Sequence, residues 1–381
     1  MIPLTKPYVP EQTYAELSNV LGSSHLQGGG VYSKKCESRL SEILGTGRVK
    51  LTPSCTSALE LSSQLIDLKK DDEVIMPSFN FTSAAIAVVN SGAVPVFVDV
   101  DRRTKCIAIE QIEEQITPKT RAISWVNYGG FAPDLRALKT IAERYQLFLI
   151  EDNAHALGST YHGIKLGSIS DFSVYSFHAT KNIQCGEGGA INIKNHEFWN
   201  QAEYMVEKGT NRIDYESGTV NKYTWVEKGG SYLNSDILSA MLMVQLKSFD
   251  EIQQRRRLIY ETYLQELKQH TLDLGFEGSF LEVDKQHAAH LFFLEFNNQK
   301  QRNQFISSMK SHGIATAFHY QALHTSKGGR KYGRSSQNIE VATKTAENIV
   351  RLPLFYSLRD FEVQRVIEFA KKVMEEVSKL R

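Results

Sequence analysis

Residues 147–155 read Leu147-Phe148-Leu149-Ile150-Glu151-Asp152-Asn153-Ala154-His155, so an apolar run ends in two acids and, shortly after, a histidine. A second strand-like run, Phe172-Ser173-Val174-Tyr175-Ser176-Phe177, leads through His178 to Lys181 and then to Gly186-Glu187-Gly188-Gly189. Short apolar runs of this kind are typical of buried strands. The stretch therefore predicts two strands of one sheet, with Asp152 and Lys181 just beyond their ends.

The rest of the first two thirds alternates strand and helix patterns. Strands are predicted at 49–52, 73–77, 94–100, 121–126, 147–150 and 190–194, and helices at 57–68, 83–91, 109–116 and 135–145. Such alternation predicts βαβ units, an α/β fold and a mostly parallel sheet flanked by helices. Ligands of such sheets bind at the carboxyl ends of the strands.

The C-terminal third has a different pattern. Residues 235–270 are predicted to be helical throughout, and we place a domain boundary near residue 250. This divides the chain into a large domain, 1–250, and a smaller α+β domain, 251–381, with strands at 289–296 and 315–320 and helices at 300–312 and 361–380. The Gly- and Ser-rich segment 327–337 is predicted to be an exposed loop.

Composition excludes several classes of partner. With 44 Lys and Arg against 43 Asp and Glu, the formal net charge of the 381 residues is +1, which favours neither nucleic acid nor an acidic membrane surface. The four cysteines are far apart and form no CxxC pair, which indicates reduced thiols and no zinc site. The amino terminus lacks a signal-peptide pattern, and no apolar segment is long enough to span a bilayer. We expect a cytoplasmic enzyme.

A candidate phosphate site follows the first predicted strand. Pro53-Ser54-Cys55-Thr56-Ser57-Ala58 opens a helix, where unpaired N–H groups and small hydroxyl residues can bind an anion. An ordinary helix N-cap would have the same sequence. Neither GxGxxG nor a Walker lysine is present, so the sequence does not support a dinucleotide or P-loop site.

The acid and the lysine together indicate pyridoxal phosphate (PLP). An aspartate such as Asp152 keeps the pyridine nitrogen protonated, and a partly desolvated lysine such as Lys181 supplies the neutral amine that binds the coenzyme. His155 could contact the same ring or serve a structural role, and Phe81 could stack on it or pack in the core.

These motifs resemble the nucleotide-sugar aminotransferases of the DegT/DnrJ/EryC1/StrS family, which have PLP fold type I. The pattern Ser-Phe-His-x-Thr-Lys-x-x-x-x-Gly-Glu-Gly-Gly at 176–189 is similar to members that aminate C4 of a dTDP-4-keto-6-deoxy sugar. Further similar stretches lie at 51–56, 72–79, 207–212, 222–225 and 351–356.

The resemblance implies specific roles. Lys181 would be the catalytic Schiff-base lysine and Asp152 the partner of the pyridinium nitrogen. The other implied cofactor contacts are Thr56, Ser57 and Ser176 at the phosphate, Phe81 on the ring, and His155, where most relatives have Gln. Relatives also use an Asn of the neighbouring subunit in Gly-Tyr-Asn-Tyr, and here Ser231 occupies that position in Gly229-Gly230-Ser231-Tyr232.

The resemblance also implies a homodimer with shared active sites, and glutamate as the amino donor with pyridoxamine phosphate (PMP) as the intermediate form. Substrate contacts would come from Lys222, Tyr223 and Trp225 at the nucleotide or its diphosphate. Near the sugar they would come from His319, Tyr320 and His324. Two alternatives stay open: amination at C3 of a 3-keto isomer, and a non-catalytic binding protein on a PLP-type fold. A sugar 3-dehydrase is disfavoured because it replaces the lysine with histidine.

Overall fold

The computed structural model describes residues 1–45, 47–281 and 286–380. Its helices, α1 to α14 in chain order, are Gln12–Leu21, Val31–Leu44, Cys55–Leu65, Thr82–Asn90, Ile112–Gln115, Leu135–Tyr145, Trp199–Val206, Arg212–Glu216, Asp236–Lys247, Phe249–Asp273, Gln299–Ser311, Lys327–Tyr332, Glu340–Asn348 and Asp360–Ser378. The strands, β1 to β13, are Arg48–Thr52, Glu73–Pro77, Val94–Val98, Thr120–Val126, Phe148–Asp152, Thr160–Tyr161, Ile164–Lys165, Phe172–Ser176, Gly189–Ile193, Glu277–Gly278, Phe292–Glu295, Arg334–Ser335 and Ile349–Leu352. Short 3-10 helices lie at Ile109–Gln111, Tyr128–Gly130, His196–Phe198 and Leu323–Thr325.

The main sheet has eight strands in the order β1-β9-β8-β5-β4-β2-β3-β12. Only β9 runs against its neighbours, and the other adjacent pairs are parallel. The carboxyl ends of β1, β8, β5, β4, β2 and β3 therefore meet at one edge. The predicted α/β class with a mostly parallel sheet is confirmed.

Helices cover both faces of this sheet because its strands are apolar on both sides. In β2, Val74 and Met76 pack with α3 and α4, whereas Ile75 between them packs with α6 on the opposite face. Asp134 begins α6 by accepting the N–H groups of Arg136 and Ala137. These local signals explain why helix 135–145 and strand 73–77 are found at their predicted positions.

The C-terminal part forms a second sheet, β10-β11-β13, which is antiparallel. Helices α10 and α14 pack against each other, as do α11 and α14. No helix among the described residues combines the length and apolar character needed to cross a membrane.

Three local predictions are wrong. The predicted helix 235–270 is interrupted at Ser248, which ends α9 and begins α10. Segment 315–320 makes one isolated bridge, Ala317 to Arg351, and no strand. Segment 327–337 contains α12 and β12, and β12 pairs with β3 at the edge of the main sheet. The domain division at residue 250 stays a prediction.

Candidate active site

A cavity of about 350 Å³ opens at the carboxyl ends of the parallel strands. Eight of the predicted site residues line it: Thr56, Phe81, Asp152, His155, Ser176, Lys181, His319 and Tyr320. They come from the ends of four strands and from the irregular segment after α11. The sheet topology thus brings together residues that are far apart in the chain.

Two helix N-termini meet at one end of the cavity. Ser54 caps α3 by accepting the N–H of Ser57 at 3.0 Å, and the Thr56 hydroxyl lies 2.7 Å from that of Ser83 in the first turn of α4. Ser57 itself is not among the residues that line the cavity; its hydroxyl lies 3.0 Å from the Ser54 hydroxyl. The N–H groups of a first helical turn have no intrahelical acceptor, so this corner suits a phosphate.

Strand β9 approaches this corner closely. Gly189 pairs with Thr52, and a Cβ on Gly189 would lie 2.5 Å from the backbone nitrogen of Cys55. Only a residue without a side chain allows this approach. Gly189, the last residue of the Gly186–Gly189 motif, therefore allows β9 to pack directly against the N-terminus of α3.

Asp152 ends β5 as a buried carboxylate. One oxygen accepts the N–H of Ala154 at 2.9 Å, and the Cys55 thiol lies 3.9 Å from the same oxygen. Burial raises the pKa of Asp152, and this rise is opposed by the Ala154 N–H and by the charge of Lys181. Among the described residues Asp152 has no ion-pair partner, so it is available to a cationic ring nitrogen.

Lys181 is half-buried and lies close enough to Asp152 for their charges to interact. Burial lowers the pKa of Lys181 to about 8, although Asp152 and Cys55 oppose this shift. Within the described part of the chain, its Nζ makes no hydrogen bond. A lysine with this pKa carries a useful fraction of neutral, nucleophilic amine near neutral pH.

Three imidazoles surround the lysine. His155 stacks between His290 and His319, with ring centroids 4.2 Å and 5.8 Å away. Burial lowers the pKa of all three histidines well below the usual value, and the positive charge of Lys181 adds to this effect. These rings are therefore neutral at physiological pH.

Hydrogen bonds assign the proton of His155. The Gly129 N–H donates to Nδ1 at 3.3 Å, so the proton of the neutral ring is on Nε2. This Nε2 lies 3.3 Å from the Tyr320 hydroxyl, and the Tyr320 ring lies 5.8 Å from that of Phe81. The Phe81 side chain is 54% exposed, which leaves its face open to the cavity.

The remaining predicted residues lie elsewhere. Lys222, Tyr223, Trp225 and Ser231 are exposed and are not among the residues that line the cavity. His324 is half-buried, with Nδ1 2.6 Å from the Ser78 hydroxyl, and does not line it either. Their predicted roles toward nucleotide, sugar and the neighbouring subunit stay predictions.

Comparisons with known proteins identify the family of this chain. A sequence profile of the DegT/DnrJ/EryC1/StrS aminotransferase family matches residues 7–371. The chain belongs to this family. The spore coat polysaccharide biosynthesis protein SpsC of Bacillus subtilis is 30% identical over 98% of this chain and 97% of its own length.

Solved structures give the same result. The Spr1654 protein of Streptococcus pneumoniae in its PMP form has a TM-score of 0.91 and is 28% identical, over 99% of this chain and all of its own. The sugar aminotransferase CalS13 of Micromonospora echinospora has a TM-score of 0.87 and is 25% identical, over 98% of this chain and 100% of its own. This chain is thus a PLP-dependent sugar aminotransferase of fold type I.

The family's coenzyme fits the residues present. The α3 N-terminus would hold the phosphate of pyridoxal phosphate, Asp152 the ring nitrogen, and Lys181 the aldehyde carbon. Asn80 also lines the cavity, and its buried Nδ2 has no hydrogen-bond partner among the described residues. A buried polar group of this kind is normally satisfied, so a ligand at this site would complete it.

Sequence reasoning missed Ser83, His290 and Arg351. Ser83 begins the predicted helix 83–91 and Arg351 begins the similar stretch 351–356, but no pattern distinguishes them there. His290 lies in the predicted strand 289–296, just before the observed β11, and no local pattern distinguishes it. Each enters the site through a contact with a residue distant in sequence.

Proposed function

We propose that this enzyme transfers the amino group of glutamate to C4 of a dTDP-4-keto-6-deoxyhexose. The product would be a dTDP-4-amino-4,6-dideoxyhexose for cell-surface polysaccharide synthesis. The observation that carries the transamination is the position of Lys181 and Asp152 in one cavity. The resemblance of motif 176–189 to C4-aminating enzymes supports the regiochemistry, and the name of SpsC supports a polysaccharide pathway.

Lys181 would act as both nucleophile and proton carrier. With a pKa of about 8, roughly a tenth of this amine is neutral at pH 7, against roughly one part in 3,000 for a lysine with the ordinary value of 10.5. Its Nζ would accept a proton from Cα of the amino donor and later return a proton to C4 of the sugar. Pyridoxal phosphate, when bound, supplies the electron-withdrawing ring for this exchange.

Asp152 and the imidazoles would set the electrostatics around this amine. Asp152 stabilises positive charge on the ring nitrogen, and its buried position strengthens that interaction. The neutral histidines add no positive charge to the site. We infer that these side chains position the reacting groups.

A second subunit would complete the site. Trp225 is 78% exposed and Tyr223 50% exposed, and both lie in the segment that leads to Ser231. Large exposed aromatic side chains of this kind mark interaction surfaces. We propose that this segment contacts a second copy of the chain, places Ser231 at the neighbouring phosphate site and binds the nucleotide across the interface.

We place the enzyme in the cytoplasm. All four cysteines are free thiols, and three of them are buried. Unpaired thiols are typical of a reducing compartment.

The test is a product analysis. The PLP-loaded enzyme is incubated with glutamate and either dTDP-4-keto-6-deoxyglucose or its 3-keto isomer, and the product is solved by NMR. We expect an amine at C4 and 2-oxoglutarate in equal amount. A product aminated at C3 would replace the proposed regiochemistry, and no amination of either sugar would reject the proposed function.

A further inference from the structure

Arg351 is a half-buried cation on β13 that faces the catalytic lysine from the C-terminal part of the chain. It lines a second cavity of about 190 Å³, which shares Lys181, His155, Thr180 and His319 with the first. The two cavities thus meet at Lys181. Leu4, Leu291, Leu352 and Leu354 supply apolar walls to the second one.

The guanidinium of Arg351 has no protein partner within the described ranges. It forms no ion pair, and its buried Nε has no hydrogen-bond acceptor. Burial also lowers the pKa of Arg351, although the Tyr128 and Tyr320 hydroxyls oppose this shift. An unpaired buried charge costs several kcal/mol of stability, and an anionic ligand in the adjoining cavity would offset this cost.

Several other buried or half-buried cations of this protein have polar partners. Lys105 pairs with Glu295 at 2.6 Å, and Arg334 makes two hydrogen bonds to Glu73, at 2.7 and 2.9 Å. Arg256 donates to the carbonyl oxygens of Ala289 and His290. Arg302 also has a buried Nε without an acceptor, but it stacks 5.0 Å from the Phe318 ring and does not line the second cavity. Arg351 differs from Arg302 because it lines a cavity.

No acidic side chain is among the described residues that line the second cavity. Its titratable residues are Lys181, Arg351 and three neutral histidines. Asn182 donates its Nδ2 protons to Gln253 and Ala288, so its Oδ1 is an acceptor. This Oδ1 lies 2.9 Å from Nδ1 of His290, and the proton of the neutral His290 ring is therefore on Nδ1. With Arg351 as a positive charge and Thr5 and Thr180 as further polar groups, this lining favours a small anion.

We propose that Arg351 binds a carboxylate of the amino donor, a small dicarboxylic amino acid, while Lys181 faces its amino group. This inference rests on the proposed transamination and names the subsite of the donor. A guanidinium binds a carboxylate through two parallel hydrogen bonds, which would also orient the donor. A cavity of about 190 Å³ is below the roughly 300–1,000 Å³ of pockets for larger ligands, so it suits an amino acid better than a nucleotide diphosphate.

The experiment is a calorimetric titration of the PLP-loaded enzyme with glutarate, which has both carboxylates but no reactive group. Glutaramide, its neutral diamide, and dTDP are the matched probes. We expect glutarate to bind and glutaramide not to. Arg351→Gln should weaken glutarate binding at least tenfold and leave dTDP binding unchanged.

Two further variants keep the experiment decisive. Arg302→Gln is the control, because Arg302 is buried in the same part of the chain, stacks 5.0 Å from Phe318 and is not among the residues that line either cavity. It should bind glutarate like the wild type. Arg351→Lys keeps the charge but not the paired hydrogen bonds, so it should weaken binding less than Arg351→Gln and serves if the glutamine variant does not fold.

Three results would overturn the inference: no binding of glutarate to the wild type, equal binding to Arg351→Gln, or a loss of dTDP binding in place of glutarate binding. The last result would assign Arg351 to the diphosphate. Failure of the proposed function is a separate outcome, because it appears as no amination of either ketosugar by an enzyme that still binds glutarate through Arg351.

Discussion

The Lys181 amine lies beside a buried carboxylate and three uncharged imidazoles, and these neighbours set the pH at which it reacts. Its pKa of about 8 is a balance of burial, which favours the neutral amine, and the charge of Asp152, which favours the ammonium form. Because deprotonation produces the nucleophile, reactivity should increase as the pH rises through 8.

The first prediction concerns the rate at which PLP binds to the apoenzyme. Between pH 7 and pH 9 this rate should rise about tenfold, since the neutral fraction of an amine with a pKa near 8 rises by that factor. Stopped-flow absorbance at the visible band of the bound coenzyme measures it. Asp152→Asn should shift the profile to lower pH, because the variant removes the charge that holds the proton on Lys181. A wild-type profile centred near 10.5 would contradict the lowered pKa.

Single residues of the site differ in how far the sequence predicts them. Asp152 and Lys181 each follow a recognisable strand, so local pattern and motif spacing suffice to place them in one site. Arg351 and His290 give no such signal, because they reach Lys181 only through the packing of the C-terminal part on the main sheet. His324 shows the opposite case, since it is near the site in sequence but bonds to Ser78.

At the scale of elements, the strand ends position the candidate cofactor site, and β9 sets the position of its phosphate corner. Its antiparallel pairing with both β1 and β8 brings Gly189 against the N-terminus of α3. The phosphate corner therefore depends on a contact between backbones.

The second prediction is that Gly189→Ala weakens PLP binding at least tenfold and lowers the melting temperature. The new methyl group would collide with the backbone of Ser54 and Cys55, which must move and misplace the first turn of α3. Fluorescence titration of the apoenzyme with PLP measures the affinity. Gly328→Ala is the matched control, since a Cβ there meets no atom within 4 Å. Equal affinities of the two variants would show that the close approach does not matter.

The third prediction concerns two ion pairs between the loop after β3 and the C-terminal sheet. Lys105 is buried and pairs with Glu295, whereas Arg102 and Glu277 are exposed at 73% and 46% of their side chains. Glu295→Gln leaves a buried ammonium without its counter-ion and should lower the free energy of unfolding by about 3 kcal/mol. Glu277→Gln should change it by less than about 1 kcal/mol. Urea denaturation of both variants, as apoproteins, measures the difference. Similar losses of unfolding free energy in the two variants would refute the role of burial.

Most strands and helices of the main sheet were predictable because buried apolar runs and capping residues are local features. The wrong predictions share another cause. Segment 315–320 has the alternation of a strand, but its His319 and Tyr320 turn toward the catalytic cavity. Segment 327–337 has the composition of a loop, but its residues 334 and 335 pair with the edge strand β3. The local sequence pattern of the segment contains no information about β3, so it could not predict this pairing.

At the scale of the whole molecule, the main question is whether one chain holds a complete site. Tyr223, Trp225 and Ser231 lie outside the cavity of their own chain. Such a position is required if they serve the active site of a second copy. Sequence resemblance predicts this arrangement, and no local pattern could, since it concerns contacts between chains.

The fourth prediction is complementation between two inactive variants. Lys181→Ala and Ser231→Asp should each be inactive alone, the second because a carboxylate repels the coenzyme phosphate. After subunit exchange in an equal mixture, about a quarter of the sites should be intact, since half of the dimers are mixed and each has one unaltered site. Steady-state amination of the ketosugar measures the recovery.

The control for this experiment carries both substitutions in one chain. Mixed with wild type under the same conditions, it should leave no intact site in the mixed dimers if Ser231 serves the neighbouring subunit. Absence of recovery in the first mixture, together with half-active mixed dimers in the second, would place Ser231 in the site of its own chain.

The pairing of β12 with β3 has a consequence for how the chain is made. Strand β3 is the apolar run Val94–Val98, and its outer edge is covered only when Arg334 and Ser335 arrive. At roughly 5–20 residues per second, about 235 intervening residues leave that edge bare for about 12–47 s during translation. Exposed apolar edge strands can pair with strands of other chains and cause aggregation. A ribosome-bound intermediate of this protein is therefore expected to need chaperone protection until residues 334 and 335 have emerged.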